Sequence, residues 1–213
     1  MTALLIIHIL SGAIALLVAP VAIATKKYLT LHRSSGKIYF WAMTAVFITA
    51  VILSSIKFIP FLLMIASFSY YSVFSGYRWK YLKQVHRDKS VLKWYDWAAL
   101  LINTIWNTAF ILWGITKAID QNTFGFLAVF FGIIALNICY NHYRHFTEYR
   151  ASSLWLGEHI GGMLGGYIGT VTAFSVQMFH FMPDWLQWTW PSLIGTPLLI
   201  YLTRNADKKR VAV

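Results

Sequence analysis

The stretch "ALLIIHILSGAIALLVAPVAIA", residues 3–24, runs for 22 residues without a single Asp, Glu, Lys or Arg. An α-helix rises about 1.5 Å per residue, so a helix of this length crosses the hydrocarbon core of a bilayer, which is about 30 Å thick. Ionisable groups would be frequent in a segment exposed to water. The stretch therefore predicts a transmembrane helix.

Apolar runs of similar length recur along the chain. They cover residues 38–57, 60–79, 98–118, 124–143, 155–178 and 187–203. A composition of 58% hydrophobic and 12% charged residues is too apolar for a soluble domain. We expect an all-α fold, a polytopic membrane helix bundle of seven transmembrane helices that forms one domain over residues 1–213.

The basic residues are concentrated in alternate connections between these runs. The segments after the first, third, fifth and seventh runs hold 16 of the 18 Lys and Arg residues, and only Lys57 and Lys117 lie elsewhere. Under the positive-inside rule this places the N-terminus outside and the C-terminus in the cytoplasm. The net charge of +11 is then a topology signal with some attraction for anionic lipid, and no nucleic-acid partner is expected. Four tryptophans are interpreted as markers of the inner interface: Trp79, Trp94, Trp97 and Trp155.

Glu158 and His159 open the sixth run, where an ionisable group costs about 3 kcal/mol unless it is paired or hydrated. His142 and His145 end the fifth run and lie three residues apart, on one side of a helix. The short connection 147–154 makes the two helices neighbours. Nitrogen and oxygen ligands at one depth suit zinc or another divalent metal, which predicts a metal site made of His142, His145, Glu158 and His159.

A second set of histidines points to a cofactor. Two histidines on facing helices can hold haem, and the pair His32 and Arg33 suits a phosphate, a lipid headgroup or a haem propionate. The cofactor-binding residues predicted in this way are His8, His32, Arg33 and His159. His8 and His159 differ in depth by about 16 Å, so they cannot share one metal ion. The alternative is that the interfacial histidines reach water, and that the glycines following His159 only allow close helix packing.

Asn103 and Asn107 lie one turn apart within the fourth run. An amide in the hydrocarbon region needs a hydrogen-bond partner on another helix. We therefore predict that at least one of them contacts a neighbouring helix, with Asn137 as a candidate partner.

The stretch "HRSSGKIYFWAM", residues 32–43, carries the pattern HRxxGxxYxxxM. Together with His8, and with His159 four residues before Met163, this pattern resembles a family of bacterial multi-pass membrane proteins catalogued as a domain of unknown function. The resemblance covers most of the chain and implies a bacterial inner-membrane protein, but no activity. A looser similarity to membrane cytochromes of the b type implies histidine-held haem.

Three functions are compatible with these residues. The first is electron transfer with a quinone through haem b or a metal. The second is a metal-dependent hydrolase of membrane lipid, similar in helix number to the seven-helix ceramidase and progestin-receptor-like group, although the intramembrane Asp and the HxxxH pair of that group are absent here. The third is a transporter or an accessory subunit without catalysis. The sequence leaves the substrate and the oligomeric state open.

Overall fold

The computed structural model describes residues 2–57, 59–149 and 154–211. It confirms the all-α class, because these residues form seven α-helices and no strand. The helices are α1 (Thr2–Ala24), α2 (Leu29–Lys57), α3 (Pro60–Trp79), α4 (Trp94–Ile119), α5 (Thr123–Thr147), α6 (Trp155–Met178) and α7 (Asp184–Val211). A short 3₁₀ helix, Lys89–Val91, lies between α3 and α4. Each of the seven apolar runs is helical, including the last, which continues through Pro191 and Pro197.

Among the described residues, four helices are long and apolar enough to cross a membrane: α1, α2, α4 and, from Phe124 onward, α5. Polar side chains make the other helices less apolar, as in α3, whose sequence includes four Ser and three Tyr residues. Seven transmembrane spans and the inside-outside orientation stay predictions. Of the basic residues behind that orientation, Arg150 and the side chains of Lys208, Lys209 and Arg210 lie outside the described part.

The chain divides into two compact units. The first unit comprises Met1–Phe74 and Met163–Leu198, and the second comprises Ser75–Gly162 and Leu199–Val213. Helices α3, α6 and α7 begin in one unit and end in the other.

In the first unit, small residues allow helices to approach closely. Ala15 and Ala19 of α1 are buried against Tyr39 and Met43 of α2. Gly169 of α6 faces α3 so closely that a methyl group on its Cα would lie 2.5 Å from Ser69 Oγ. Glycine and alanine at helix interfaces increase van der Waals contact between backbones, which stabilises helix pairs in a membrane.

In the second unit, α4 and α5 pack against each other along a buried stripe. On α5 the buried positions include Ala128, Phe131, Ala135 and Cys139, which recur at intervals of three or four residues. The same stripe continues to His142 and so turns that histidine toward the protein interior.

A buried ion pair fixes the end of α3 to the start of α4. Arg78 donates from Nε and Nη2 to the two carboxylate oxygens of Asp96, both at 2.7 Å. Asp96 also accepts from the backbone N–H of Lys93 and thereby caps α4. Because Asp96 is 3% exposed and fully engaged, this pair holds Trp79, the residue after Arg78, in a defined place.

Candidate functional site

Glu158 lies between two histidines at the facing ends of α5 and α6. Its Oε1 is 3.0 Å from His145 Nε2, and its Oε2 is 3.4 Å from His142 Nε2. The three residues form what we call the acid–imidazole cluster. A carboxylate with one imidazole at each oxygen is a chain of groups that can hold and pass a proton.

The cluster is buried on the histidine side and open on the glutamate side. The side chains of His142 and His145 are 4% and 9% exposed, whereas that of Glu158 is 26% exposed. The carboxylate therefore connects two enclosed imidazoles with the outside of the protein. This arrangement gives a proton a path to the histidines through Glu158.

Trp79, the last residue of α3, forms a wall of the cluster. Its indole Nε1–H donates to His142 Nε2 at 3.4 Å, and its ring stands edge-on to His145 at 5.3 Å between centroids. Trp79 is only 2% exposed, so its ring packs inside the protein, and its place at the inner interface stays a prediction. Sequence reasoning missed its role, although its depth beside the histidines was a usable signal.

The position of His142 Nε2 is chemically informative. The atom faces a donor, Trp79 Nε1–H, and an acceptor, Glu158 Oε2, both at 3.4 Å. An imidazole nitrogen cannot accept and donate at the same time. His142 therefore has two competing arrangements, one in which Nε2 accepts from the indole and one in which a protonated Nε2 donates to the carboxylate. The two arrangements differ in whether Nε2 carries a proton, which changes either with the tautomer of the neutral ring or with protonation of the ring.

The loop after α3 is fastened over the end of α5. Lys89 Nζ donates to the backbone carbonyl of His145 at 3.0 Å and to that of Glu148. A cation at the C-terminal end of a helix satisfies carbonyls that lack helical partners and interacts favourably with the helix dipole. Asp88 caps the 3₁₀ helix by accepting from Ser90, and this hydrogen bond lowers the pKa of Asp88. The loop thus holds the last turn of α5, and His145 with it.

His86 lies in the same loop but outside the acid–imidazole cluster. Its burial, followed by the nearby charge of Arg87, lowers the pKa of this histidine. Both effects disfavour the imidazolium form. His86 therefore differs from the cluster histidines, which face a carboxylate.

His159 was predicted to be a ligand of both the metal and the cofactor. Its Nδ1 lies 2.7 Å from the backbone carbonyl of Gly76 on α3. The centre of the cluster belongs to the preceding residue, Glu158, which was predicted to be a metal ligand. Consecutive residues of a helix point about 100° apart, so only one of the two can face His142 and His145.

The other residues predicted to bind a cofactor lie in the first unit. His8 Nδ1 is 2.9 Å from Thr49 Oγ1, and since the Thr49 hydroxyl donates to Ala45 O, the imidazole is the donor of this bond. His32 Nδ1 is 2.8 Å from Ala22 O at the far end of α1. Fourteen residues separate position 8 from position 22, about 21 Å along a helix. His8 and His32 are therefore too far apart to ligate one haem iron; Arg33, next to His32, is exposed.

The predicted metal ligands converge in part. His142, His145 and Glu158 meet, but in the described residues no group of three or more His, Cys, Asp or Glu side chains is arranged to hold a metal ion. The indole N–H at His142 Nε2 also presents a positive edge where a cation would have to bind. The cluster geometry is thus better suited to a proton than to a metal ion.

The asparagine prediction is confirmed, with a different partner. Asn103 of α4 donates to Cys139 Sγ of α5 at 3.4 Å, and Asn107 donates to the Asn103 backbone and side-chain oxygens. Asn137 is exposed and accepts from Asn141 of its own helix. The exposure of Asn141 also separates it from the acid–imidazole cluster.

No protein-family model, curated protein or solved structure matches this chain.

Proposed function

We propose that the protein is a multi-pass protein of a bacterial inner membrane that binds and releases a proton at the acid–imidazole cluster, as a proton-coupled transporter or an accessory subunit of one. The observation that carries this proposal is the contact of each Glu158 oxygen with a different imidazole, at 3.0 and 3.4 Å. Chains of Glu and His side chains at membrane depth are the usual proton relays of pumps and transporters.

The cluster can exchange a proton with solvent because the side chain of Glu158 is more exposed than those of the two histidines. A proton arriving at the carboxylate of Glu158 passes to His145 over 3.0 Å, the shorter of the two contacts. Protonation of His142 releases its Nε2 from the Trp79 indole and turns it into a donor to Glu158. The proton state of the cluster is thereby linked to the packing of α3 against α5, which is the kind of two-state element that transport requires.

Proton uptake by purified protein tests this proposal. We expect Glu158→Gln to take up fewer protons than the wild type over the same acidification, followed with a pH indicator, because the amide replaces the carboxylate through which both imidazoles are proposed to exchange protons. The matched control is Glu148→Gln, since Glu148 pairs with Arg144 at 2.7 Å and lies outside the cluster. An unchanged proton uptake in Glu158→Gln would overturn the proposal.

An absorption spectrum and a metal analysis of the same purified protein distinguish the proposal from the competing functions. An absorption spectrum with a haem band that responds to dithionite supports electron transfer by a haem protein. Stoichiometric zinc that is lost in His145→Ala supports a metal-dependent hydrolase. The zinc result contradicts the proton proposal, because a cation coordinated by His145 would occupy an imidazole nitrogen that the proton needs. The haem result contradicts it when the band is lost in His145→Ala, which would place the haem at the cluster.

The orientation proposed for the chain places its basic connections in the cytoplasm. A fluorescent protein that matures only in the cytoplasm should therefore be bright when fused to the C-terminus, and alkaline phosphatase, active only outside, should be inactive there. The reverse pattern would contradict the orientation.

A further inference from the structure

The hairpin of α1 and α2 carries a groove on its surface, in the first unit, and none of the residues that line it belongs to the acid–imidazole cluster. The groove has a volume of about 430 Å³, and Ile14, Trp41 and Ala45 are among its apolar lining residues. Lys37 is the only charged side chain in its lining. We propose that this groove binds an anionic phospholipid, with the phosphate at Lys37 and an acyl chain along the apolar residues.

The groove follows α2 for about two helical turns. Lys37 and Ala45 are eight residues apart on α2, which corresponds to about 12 Å along the helix. Trp41 stands between them, one turn from each, and is 64% exposed. About one turn beyond Ala45, the hydrogen bond from His8 to Thr49 joins α1 to α2. An acyl chain that enters at Lys37 therefore has an apolar path of defined length.

The positive charge of the first 74 residues favours an anionic headgroup. The first 74 residues contain five Lys and Arg residues and no Asp or Glu. Lys26, Lys27 and Arg33 are exposed at the same end of the hairpin as Lys37. A zwitterionic headgroup would bring a second cation to this positive end, whereas a phosphatidylglycerol headgroup brings only the phosphate. Lysine provides the point charge and N–H donors that phosphate oxygens accept.

Quenching of Trp41 fluorescence by brominated lipids tests the site. The protein is reconstituted in phosphatidylcholine nanodiscs with added brominated phosphatidylglycerol, or with added brominated phosphatidylcholine as the reference. The Trp41 signal is the difference between the wild type and Trp41→Phe. We expect phosphatidylglycerol to quench with an apparent affinity about fivefold higher than phosphatidylcholine, the effect of one cation near an anionic lipid.

Three variants locate the site. Lys37→Gln should abolish the preference for phosphatidylglycerol, whereas Lys57→Gln, which removes an exposed lysine from the other end of α2, should retain it. Ala45→Leu fills the groove and should lower the quenching of Trp41 by either lipid. The proposal is overturned if both lipids quench equally in the wild type, or if Lys37→Gln and Lys57→Gln behave alike. Because these residues are not in the acid–imidazole cluster, proton uptake should be unchanged in all three variants.

Discussion

The two ends of α6 use opposite means to hold neighbouring helices. At its first turn, in the second unit, Glu158 and His159 make directed hydrogen bonds to α5 and α3. Farther along, in the first unit, Gly166 and Gly169 have no side chains and let α3 come into backbone contact. The polar end is held by hydrogen-bonding side chains, whereas the glycine end packs closely because its residues have no side chains. Substitutions should therefore act on the two ends by different mechanisms.

The largest effect is expected at the glycine end. A methyl group at Gly166 would overlap Val73 Cγ2, whereas one at Gly165 would meet no atom within 4 Å. Gly166→Ala should lower the free energy of unfolding in detergent by about 3 kcal/mol, the upper range for an overpacked interior. Gly165→Ala is the matched control and should be neutral or stabilising, since alanine favours helix. Equal effects would show that α6 and α3 do not approach closely at Gly166.

A smaller loss is expected at the polar end. Glu158→Ala leaves His142 and His145 without their common carboxylate and should cost about 2 kcal/mol of unfolding free energy. Glu148→Ala breaks the Arg144 pair, whose side chains are both 42% exposed, and should have a smaller effect than Glu158→Ala because solvent screens an exposed ion pair. Denaturant titration of both variants provides the comparison. If Glu148→Ala lowered the free energy of unfolding as much as Glu158→Ala, the cluster would contribute no more to stability than an ordinary surface ion pair.

The indole of Trp79 is expected to contribute about 1 kcal/mol through its hydrogen bond. Trp79→Phe keeps an aromatic ring beside His145 but removes the donor to His142 Nε2. The variant should unfold at a slightly lower denaturant concentration, because the buried His142 Nε2 loses its donor. Trp94→Phe is the control, since Trp94 is 79% exposed. Equal unfolding of Trp79→Phe and the wild type would contradict a contribution of this hydrogen bond to stability.

The smallest effect is expected for the contact between α4 and α5. Asn103→Ala removes the hydrogen bond to Cys139 and should cost about 0.6 kcal/mol, the average for interhelical hydrogen bonds in membrane proteins. Asn137→Ala should have no measurable effect, because Asn137 is exposed and bonds only within α5. A larger loss of stability in Asn137→Ala than in Asn103→Ala would instead support the pairing of Asn103 with Asn137 that the sequence had indicated.

The helices were predictable because apolar runs of about 20 residues leave few alternatives to helix in a membrane. The meeting of Glu158 with His142 and His145 was predictable too, since a short connection brings the two helix ends to one depth. The rotation of each helix was not, because small errors in helix phase decide between adjacent residues such as Glu158 and His159, or Asn141 and His142. Trp79 was missed since its contact with His142 joins segments 63 residues apart.

The central claim is that the carboxylate of Glu158 joins His142 and His145 in one hydrogen-bonded cluster. Nitrogen NMR of protein labelled at histidine, recorded at one fixed pH, measures this directly, with the two signals assigned through His142→Gln and His145→Gln. We predict that the Nε2 signals of both imidazoles shift in Glu158→Gln and that Glu148→Gln matches the wild type, because Glu158, and not Glu148, places oxygens at 3.0 and 3.4 Å from the rings. Identical Nε2 signals in the wild type and in Glu158→Gln would contradict the account.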